Sequence, residues 1–543
     1  RFSKFFGGAP QYTIPGRTFP VDILHSKTTC NDYVEAAVKQ TLTIHLQNSH
    51  SGNDGDILVF MTGQEDIEMT CEVLREKLNL LDNPPPLDIF PIYSSLPADL
   101  QKKIFNKRNN ERRKVVIATN IAETSLTVDG IKYVIDSGLV KMKVYNAKLG
   151  MDTLQVIPIS LANAQQRSGR AGRTEAGTAY RLYTERAIEP DKMFVQPIPE
   201  IQRTNLSNVM LLLKSLKVAE INEFPFLDPP PPDLLNCSLY DLWAMGVLNN
   251  LGELTELGDS MKNFPIEPTL AKAILLSIKP EFQCSEDMIT IVAMLSVPPV
   301  FHRPKERAQE ADMVCEKFYV SESDHLTLLN VYNQWEQNLK RLNNNYSKIN
   351  HWCQKNFLQL KSLLRAKDIK IQLLMIMKSN KLPLIKSTND DAIKKCLCAS
   401  FFQQLAKLVK INVHGSPEFI NLRHKYMKMF LHPTSSLNGS NLSSPYVIYH
   451  ELVLTSKEYM NCVTCVDPTW LLELGYVYYH VPDFYLKRYQ NKLPGNLISK
   501  SDLEHSIEQD KKNYTELKNS RMFKRKKITQ TRTTPKFKTR KPF

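Results

Sequence analysis

Short apolar runs, each bounded by polar turn residues, recur in the first third of the chain at 56–61, 91–96, 115–118 and 133–136. Such runs are typical of strands buried in a parallel sheet. Residues 32–47, in contrast, space their apolar side chains at the three- and four-residue intervals of an amphipathic helix. Strands that alternate with helices predict an α/β domain with a parallel sheet and right-handed crossovers.

The pattern changes after this domain's fourth apolar run. Residues 138–157 alternate polar and apolar side chains, which predicts a β-hairpin. The DPPPP run at 228–232 predicts a rigid break that no helix can cross. Residues from 399 onward are rich in strand-like runs, including one at 446–454. Helical periodicity predicts the intervening helices at 206–216, 239–248, 324–342 and 356–374.

Composition places this pattern in a multidomain protein. The chain has 543 residues, enough for about three to five domains, and no apolar stretch approaches the length of about 20 residues that a membrane span needs. Its net charge of +14 is uneven, because residues 511–543 carry 13 Lys or Arg and one Glu. Such a basic tail is typical of a disordered, solvated segment, and equally of one that binds nucleic acid or directs nuclear import.

Cysteine usage indicates a reducing compartment and no metal site. The chain has ten cysteines, and only Cys462 and Cys465 have the spacing of half a zinc site. A structural zinc site needs a second Cys or His pair, and the sequence contains no second C-x2-C pair. We therefore predict no metal ligands here, and reduced thiols in the cytosol or the nucleus.

Two polar segments carry the candidate chemistry. The segment ATNIAETSLTVDG at 118–130 follows an apolar run and is dense in hydroxyls, so we expect it at the carboxyl end of a strand, where open α/β sheets bind ligands. The segment QRSGRAGR at 166–173 carries three arginines, whose fixed donor forks match phosphate oxygens. Either segment alone is typical of a solvated loop. Together, and in this order, they indicate nucleotide chemistry.

These segments resemble motifs V and VI of the DEAH-box RNA helicases, and the resemblance extends over nearly the whole chain. It implies a multidomain fold with an α/β RecA-like lobe built on a parallel sheet, then a winged helix, a helical ratchet bundle and a β-rich OB-fold. The implied divisions are a connector at 1–25, a second RecA-like lobe at 26–196, a winged helix at 197–280, a helical bundle at 281–395, an OB-fold at 396–485 and a basic tail at 486–543.

The sequence patterns of the winged helix, the helical bundle and the hairpin do not show by themselves whether these regions contact RNA. A winged helix by itself would suggest DNA binding, but here we favour a structural role that packs the lobes together. The helical periodicity of the bundle is equally consistent with helices that only pack together and with a long helix that lies along RNA. The hairpin, which in the family projects toward RNA, has a length that is also common in inert decoration.

The resemblance implies a role for each matching residue. Arg170 and Arg173 resemble arginine fingers that neutralise charge on the γ-phosphate, and Gln166 resembles the residue that orients the phosphate or water. The implied nucleotide-binding residues are Phe105, Ser125, Thr127 and Asp129. The implied RNA-binding residues are Thr62 and Gly63 of motif IV, and Thr119 and Asn120 of motif V. From spacing alone, Phe105 on a helix at 98–105 fits a core position as well as one stacked on adenine.

The resemblance implies that the nucleotide is ATP. It also implies that the motifs of the first RecA-like lobe are not in this sequence. The sequence contains no GxxxxGK[ST] motif and no Asp-Glu-Ala-His, which hold the phosphates and Mg²⁺ in P-loop enzymes. In the family these motifs and the Mg²⁺ ligands lie on a first RecA-like lobe. We therefore expect this chain to be the C-terminal part of an RNA-stimulated NTPase, and to be inactive by itself.

The stretches at 14–24 and 32–40 discriminate further within the family. They most resemble the spliceosomal ATPase that acts between the first and second transesterification steps. That resemblance implies a nuclear 3′→5′ translocase whose partners are single-stranded pre-mRNA or snRNA and spliceosomal proteins, without a membrane. Two alternatives remain, namely an RNA-binding scaffold that has lost catalysis, and a DEAH-box helicase of ribosome biogenesis or of another splicing step.

Overall fold

A computed structural model provides the architecture of the chain. The residues that it describes are 2–14, 19–48, 55–94, 96, 101, 104, 112–124, 128–147, 150–189, 191–218, 220–304, 307–411, 416–423, 427–438, 442–454 and 457–475. None of the helices within these ranges is both long and apolar enough to cross a membrane.

A six-stranded parallel sheet forms the first domain, as the alternating pattern predicted. Its strands, in the spatial order β1-β8-β5-β2-β4-β3, all pair in parallel. They are β1 (Val21–His25), β2 (Asp56–Phe60), β3 (Leu87–Ile92), β4 (Arg113–Ala118), β5 (Ile131–Asp136) and β8 (Gly177–Arg181). Strand β3 lies earlier than the expected run at 91–96. It is an edge strand, where Pro91 is tolerated because no neighbour needs its missing N–H group.

Helices and loops cover both faces of this sheet. One face packs against α2 (Tyr33–Asn48) and α3 (Gln64–Asn79), and the central strands between the two layers are almost completely buried. The other face packs against Ala122 and Ala171, which belong to the two polar segments. Helices α1 (Phe2–Phe5), α4 (Ile121–Thr124) and α5 (Leu161–Ser168) also belong to this part of the chain.

The expected hairpin is present and contacts a distant part of the chain. Strands β6 (Leu139–Asn146) and β7 (Met151–Pro158) pair antiparallel along their whole length. Strand β7 also pairs in parallel with β12 (Tyr446–Leu454), through Asp152 opposite Val453 and Thr153 opposite Leu454. The hairpin therefore extends the β-rich domain near the end of the chain.

One helix of the next region begins at a proline that the sequence analysis had marked as a break. Helix α7 (Pro232–Ala244) starts with Pro232 in its first turn, where a helix needs no N–H donor, so the expected helix at 239–248 begins earlier. An antiparallel bridge joins Leu248 to Leu254 before α8 (Glu256–Met261). The other helices up to residue 295 are α6 (Ser207–Ser215), α9 (Pro268–Ser277) and α10 (Ser285–Leu295).

Two long helices follow as the bundle pattern predicted, at 324–341 and 360–379, and one of them has a shifted boundary. The expected helix at 356–374 begins at Leu360, because Phe357 has φ +52° and interrupts the helical path. The helices are α11 (Ala308–Cys315), α12 (Asp324–Arg341), α13 (Tyr346–Lys355), α14 (Leu360–Ser379) and α15 (Asp390–Ser400).

The β-rich domain is a closed five-stranded barrel. Its strands follow the order β13-β11-β10-β9-β12, and β12 pairs with β13 to close the ring. Besides β12 they are β9 (Leu405–Ile411), β10 (Pro417–Asn421), β11 (Lys428–Leu431) and β13 (Glu458–Cys465), followed by helix α16 (Pro468–Gly475). The predicted multidomain class, with a parallel sheet, helices and an OB-like barrel, is thereby confirmed.

One buried hydrophobic core runs from α6 to α16, through α9, α10, α15 and the barrel strands. The boundaries expected at 280 and 395 fall inside this core, so the three regions share buried surface. A polar latch adds to it at the start of α12, where the Asp324 carboxylate accepts hydrogen bonds from Ser435, Ser436 and the Val463 N–H. The helix is thus tied to the barrel by charge-assisted bonds.

Acid is expected to destabilise the junction of α12 with the barrel through the next residue, His325, whose Nδ1 lies 2.8 Å from the Thr464 hydroxyl of β13. Burial, with a contribution from His450, lowers the pKa of His325 from 6.5 to about 3, so the folded protein excludes a proton that the unfolded chain binds. Stability therefore falls as pH drops from 6.5 toward 3, at about 1.4 kcal/mol per pH unit for this one group. Urea unfolding at pH 7 and pH 5 should show a smaller pH difference in His325→Gln than in the wild type. The matched variant of exposed His351, His351→Gln, should keep the wild-type difference. Identical pH slopes in all three proteins would contradict the assignment.

Candidate functional site

A fully buried arginine joins the two polar segments. Arg167, in the last turn of α5, donates from Nε to the Glu123 carboxylate at 2.7 Å and from Nη1 to the Asp136 carboxylate at 2.7 Å. Its guanidinium lies 4.9 Å from the centre of the Phe60 ring. The two carboxylates raise the pKa of Arg167 against the opposing effect of burial, so the group stays charged.

Further hydrogen bonds complete this buried triad of Arg167, Glu123 and Asp136. Asn163 Nδ2 donates to the second Glu123 oxygen at 2.9 Å, and Tyr183 donates to the second Asp136 oxygen at 3.2 Å. Paired and hydrogen-bonded in this way, buried charges are tolerated. The triad therefore holds α4, the end of β5 and α5 in one geometry.

The three predicted catalytic residues lie in and just beyond α5. Gln166 and Arg173 are exposed, whereas Arg170 is 8% exposed. Burial and the nearby charge of Arg173 lower the pKa of Arg170, with Glu123 opposing them. Both causes disfavour the cation, so an anion beside these two arginines would be stabilised. The residues present therefore fit a phosphate group.

A close backbone contact positions the loop at 169–173, which contains Arg170 and Arg173 and is called the arginine loop below. The Phe19 N–H donates to the Gly172 carbonyl at 2.9 Å, and a Cβ at Gly172 would lie 2.5 Å from the Phe19 carbonyl oxygen. Only glycine allows this approach. Residues 19–21 lead into β1, so the loop lies at the edge of the sheet where β1 and β8 begin.

Asp129 lies at that same edge, which corrects one expectation. The whole hydroxyl-rich segment was expected at the carboxyl end of a strand. However, Asp129 is exposed immediately before β5 begins, and the neighbouring Gly130 carbonyl accepts from the N–H of Asp56, the first residue of β2. Because all strands are parallel, this is the amino edge. The segment therefore crosses the sheet from one edge to the other.

The predicted RNA-binding residues meet at the opposite, carboxyl edge. Thr119 and Asn120 follow the last residue of β4, and the Thr119 N–H donates to the Ile92 carbonyl at the end of β3. Thr62 follows β2, and the Met61 N–H donates to the Ala118 carbonyl. The structure thus brings motifs IV and V together on adjacent strands, with Asn120 exposed.

The two motif IV residues differ in what they offer to a ligand. Thr62 is 7% exposed, and its hydroxyl donates to Asp66, which also accepts from Tyr33. Its side chain is therefore engaged inside the protein. Gly63 is the N-cap residue of α3, and a Cβ there would touch Lys141 of the hairpin at 3.4 Å. A cation from the hairpin thus adjoins the helix terminus at this edge.

Three of the predicted nucleotide-binding residues, Phe105, Ser125 and Thr127, lie outside the described residues. Sequence reasoning missed Glu123, Asp136 and Lys141, and gave Arg167 no role of its own. The carboxylate of Asp136 at the end of an otherwise apolar strand is a signal that could have drawn attention to the triad. In the described ranges, no cluster of three His, Cys, Asp or Glu side chains could hold a metal ion. Cys462 and Cys465 have free thiols.

Comparisons with known proteins agree with this geometry. Family models match the chain as a helicase conserved C-terminal domain at 36–175, a ratchet-like helicase associated domain at 267–328 and an OB-fold at 393–478. The chain is also similar to the pre-mRNA-splicing factor ATP-dependent RNA helicase prp22 of Schizosaccharomyces pombe, with 45% identity over 483 residues. That match covers 88% of this chain but 39% of the relative. The chain thus spans well under half the length of the curated relative that it matches.

Proposed function

Because the chain belongs to the DEAH-box family of RNA helicases, we propose that it forms the C-terminal part of an ATP-dependent enzyme that translocates 3′→5′ along single-stranded RNA. The observation that carries this proposal is the division of the lobe into two edges. The arginine loop and Asp129 share the amino edge, and Thr119, Asn120 and Gly63 share the carboxyl edge. One edge suits a nucleotide and the other suits a phosphodiester backbone.

At the amino edge, Arg170 and Arg173 contact the γ-phosphate of ATP and stabilise the charge that develops on it. Gln166 orients the attacking water, and Asp129 accepts from the ribose hydroxyls. Phe105, Ser125 and Thr127 complete the nucleotide contacts. The partly buried position of Arg170 supports this assignment, because a desolvated cation interacts more strongly with phosphate than an exposed one.

At the carboxyl edge, the backbone at Gly63 and the polar groups of Thr119 and Asn120 hold RNA phosphates. Because the Thr62 hydroxyl donates to Asp66, Thr62 has a positioning role and orients the start of α3. The buried triad lies near the carboxyl edge, because Asp136 ends β5 and Glu123 follows β4, and its Arg167 belongs to the helix that leads into the arginine loop. A shift of the arginine loop during hydrolysis would therefore move α4, and with it Thr119 and Asn120.

The P-loop and the ligands of Mg²⁺ belong to another lobe in this proposal. When bound there, Mg²⁺ neutralises the β- and γ-phosphate oxygens. The fingers of this chain complete the site only when the lobes close on ATP. The divisions at 25, 196, 280, 395 and 485 are part of the same proposal. The winged-helix segment at 197–280 acts structurally, since its side chains share a core with the bundle and the barrel.

We place the activity in the nucleus, on the spliceosome, between the two transesterification steps. The printed name of the S. pombe relative, a pre-mRNA-splicing factor, supports splicing, and the resemblance at 14–24 and 32–40 supports the step. Single-stranded pre-mRNA or snRNA and spliceosomal proteins are the partners. A scaffold that has lost catalysis is the second candidate, but it would not need to keep Gln166, Arg170 and Arg173.

The ATPase rate with and without single-stranded RNA tests the proposal. We expect this chain alone to remain at background, and a protein that also carries a P-loop lobe to turn over ATP faster when RNA is added. A P-loop Lys→Ala variant of the longer protein is the matched control. If the longer protein binds RNA but does not hydrolyse ATP although Arg170 and Arg173 are present, we would conclude that the protein is an RNA-binding scaffold and not an enzyme.

A further inference from the structure

An apolar groove on the outer side of α14 has no role in the proposed activity. Its floor is formed by the partly buried Leu374 and Leu382, and its walls by Ile371, Met375 and Leu384. The groove has a volume of about 550 Å³ and is open to solvent. Met375 is 65% exposed, Leu384 49% and Ile371 40%, which makes a contiguous apolar surface. Such surfaces on a protein mark interaction sites.

The wall that contains Leu384 is held rigidly. Ser285, at the start of α10, accepts from the Ile385 N–H at 2.8 Å and donates to the Pro383 carbonyl at 2.9 Å. The Glu286 N–H donates to the Ile385 carbonyl, and the Ser387 N–H donates to Asp287. These bonds fix the extended segment beside the helix. The groove is therefore preformed, and a ligand would not bear the entropic cost of ordering it.

Basic side chains surround the groove. Lys378 and Lys381 line its rim, and neither is in an ion pair within the described part of the chain. Residues 361–386 carry seven Lys or Arg and one Asp. Glu336 pairs with Lys370, and Glu286 and Asp287 adjoin the segment at 385–387, so the surrounding surface keeps a net positive charge. An occupant must therefore combine apolar anchors with negative charge.

We propose that this groove binds an acidic amphipathic helix of a partner protein. Ile371, Met375 and Lys378 are spaced at i, i+4 and i+7 on α14, and a partner helix laid along them would place its apolar anchors at matching intervals. Its acidic residues would meet Lys378 and Lys381. Met375 suits such a site because its flexible thioether adapts to different partners.

The charges disfavour the other occupants. A second copy of this chain would bring the same basic rim against itself. The chain's own residues 511–543 are strongly basic and would be repelled. RNA suits the positive rim, but the floor and walls of the groove offer its phosphates few polar groups. An acidic, apolar helix satisfies both the floor and the rim.

Fluorescence anisotropy with two designed peptides tests the proposal. The first is a labelled 20-residue helix with leucines on one face and glutamates elsewhere, and the second replaces each glutamate with lysine. We expect the full chain to bind the acidic peptide at least about tenfold more tightly than the basic one, with an affinity that falls as salt rises. Met375→Glu should weaken binding of the acidic peptide by about tenfold or more, because it removes one central apolar anchor. The combined variant Lys378→Glu/Lys381→Glu should invert the preference.

Met313→Glu is the matched control, because Met313 is 67% exposed on α11, away from the groove. It should leave peptide binding unchanged. The exposed positions of Met375, Lys378 and Lys381 allow all variants to fold, which circular dichroism checks. Equal binding of both peptides, or equal loss in Met313→Glu and Met375→Glu, would overturn the proposal. So would complete displacement of the acidic peptide by a U20 oligonucleotide, or a dimer in sedimentation that Met375→Glu dissociates.

Discussion

Replacement of Arg170 with alanine is expected to lower the RNA-stimulated ATPase rate by about 10³- to 10⁵-fold in a protein that carries both lobes. Burial and the neighbouring charge of Arg173 disfavour the Arg170 cation, Glu123 opposes them, and a phosphate anion beside the two arginines would stabilise the cation further. Without it, charge developing on the γ-phosphate loses a preorganised donor. RNA affinity should stay at the wild-type value, because Arg170 does not belong to the carboxyl edge.

The ATPase measurement should be paired with RNA binding by anisotropy. Arg186→Ala is the matched control, since Arg186 is exposed on a short turn after β8, and it should turn over ATP at the wild-type rate. Arg170→Lys separates charge from geometry, because lysine keeps the charge but not the planar fork. Wild-type turnover in Arg170→Ala would withdraw the finger assignment. If Arg170→Ala lost RNA affinity to the same extent as ATPase activity, Arg170 would instead be needed for folding of the domain.

Removal of the buried charge at Arg167 is expected to have the second largest effect, on stability. Arg167→Met fills a similar volume but leaves the Glu123 and Asp136 carboxylates buried without their cation. Breaking a buried pair in this way costs about 3–5 kcal/mol. The transition that reports on the α/β lobe, followed in urea, should therefore shift to lower denaturant. The midpoint should shift much less in Lys192→Met, because the exposed pair of Lys192 with Glu189 contributes about 0–1 kcal/mol.

A triple variant distinguishes the triad from simple packing. Arg167→Met with Glu123→Leu and Asp136→Leu removes all three charges, and replacement of a whole buried ion network by apolar side chains is often neutral. The triple variant should recover much of the stability that Arg167→Met loses. If the single variant is as stable as the wild type, or if the triple variant is less stable than the single one, the buried charges do not hold α4 and α5 together.

The sequence predicted the architecture well where local pattern decides it. Apolar runs at 56–61, 115–118 and 133–136 became β2, β4 and β5, because a strand covered on both faces must be apolar throughout. The alternation at 138–157 became the hairpin β6–β7, because antiparallel strands whose two faces differ in environment alternate polar and apolar side chains. Pro232 was misread as a break, since a proline at the first position of a helix needs no N–H partner.

The candidate site was predictable in part. The arginine loop and the hydroxyl-rich segment were recognisable from residue types, which must match phosphate and RNA chemistry. Their arrangement was not. Asp129 lies on the edge opposite Thr119 because the chain crosses the sheet between β4 and β5, and spacing along the sequence does not show that crossing. The roles of the individual residues remain predictions for the experiments above.

The sequence by itself determined the order of elements, the family and the residue types at the two edges of the lobe, because periodicity and short motifs are local properties of the chain. Only the tertiary structure decided which distant residues meet. Arg167 reaches Glu123 and Asp136 over 44 and 31 positions, and Asp324 reaches Val463 over 139. Pairing of β7 with β12 likewise joins the hairpin to the barrel. Such contacts depend on how several elements pack at once, since a buried charge is stable only where folding brings its partners to it.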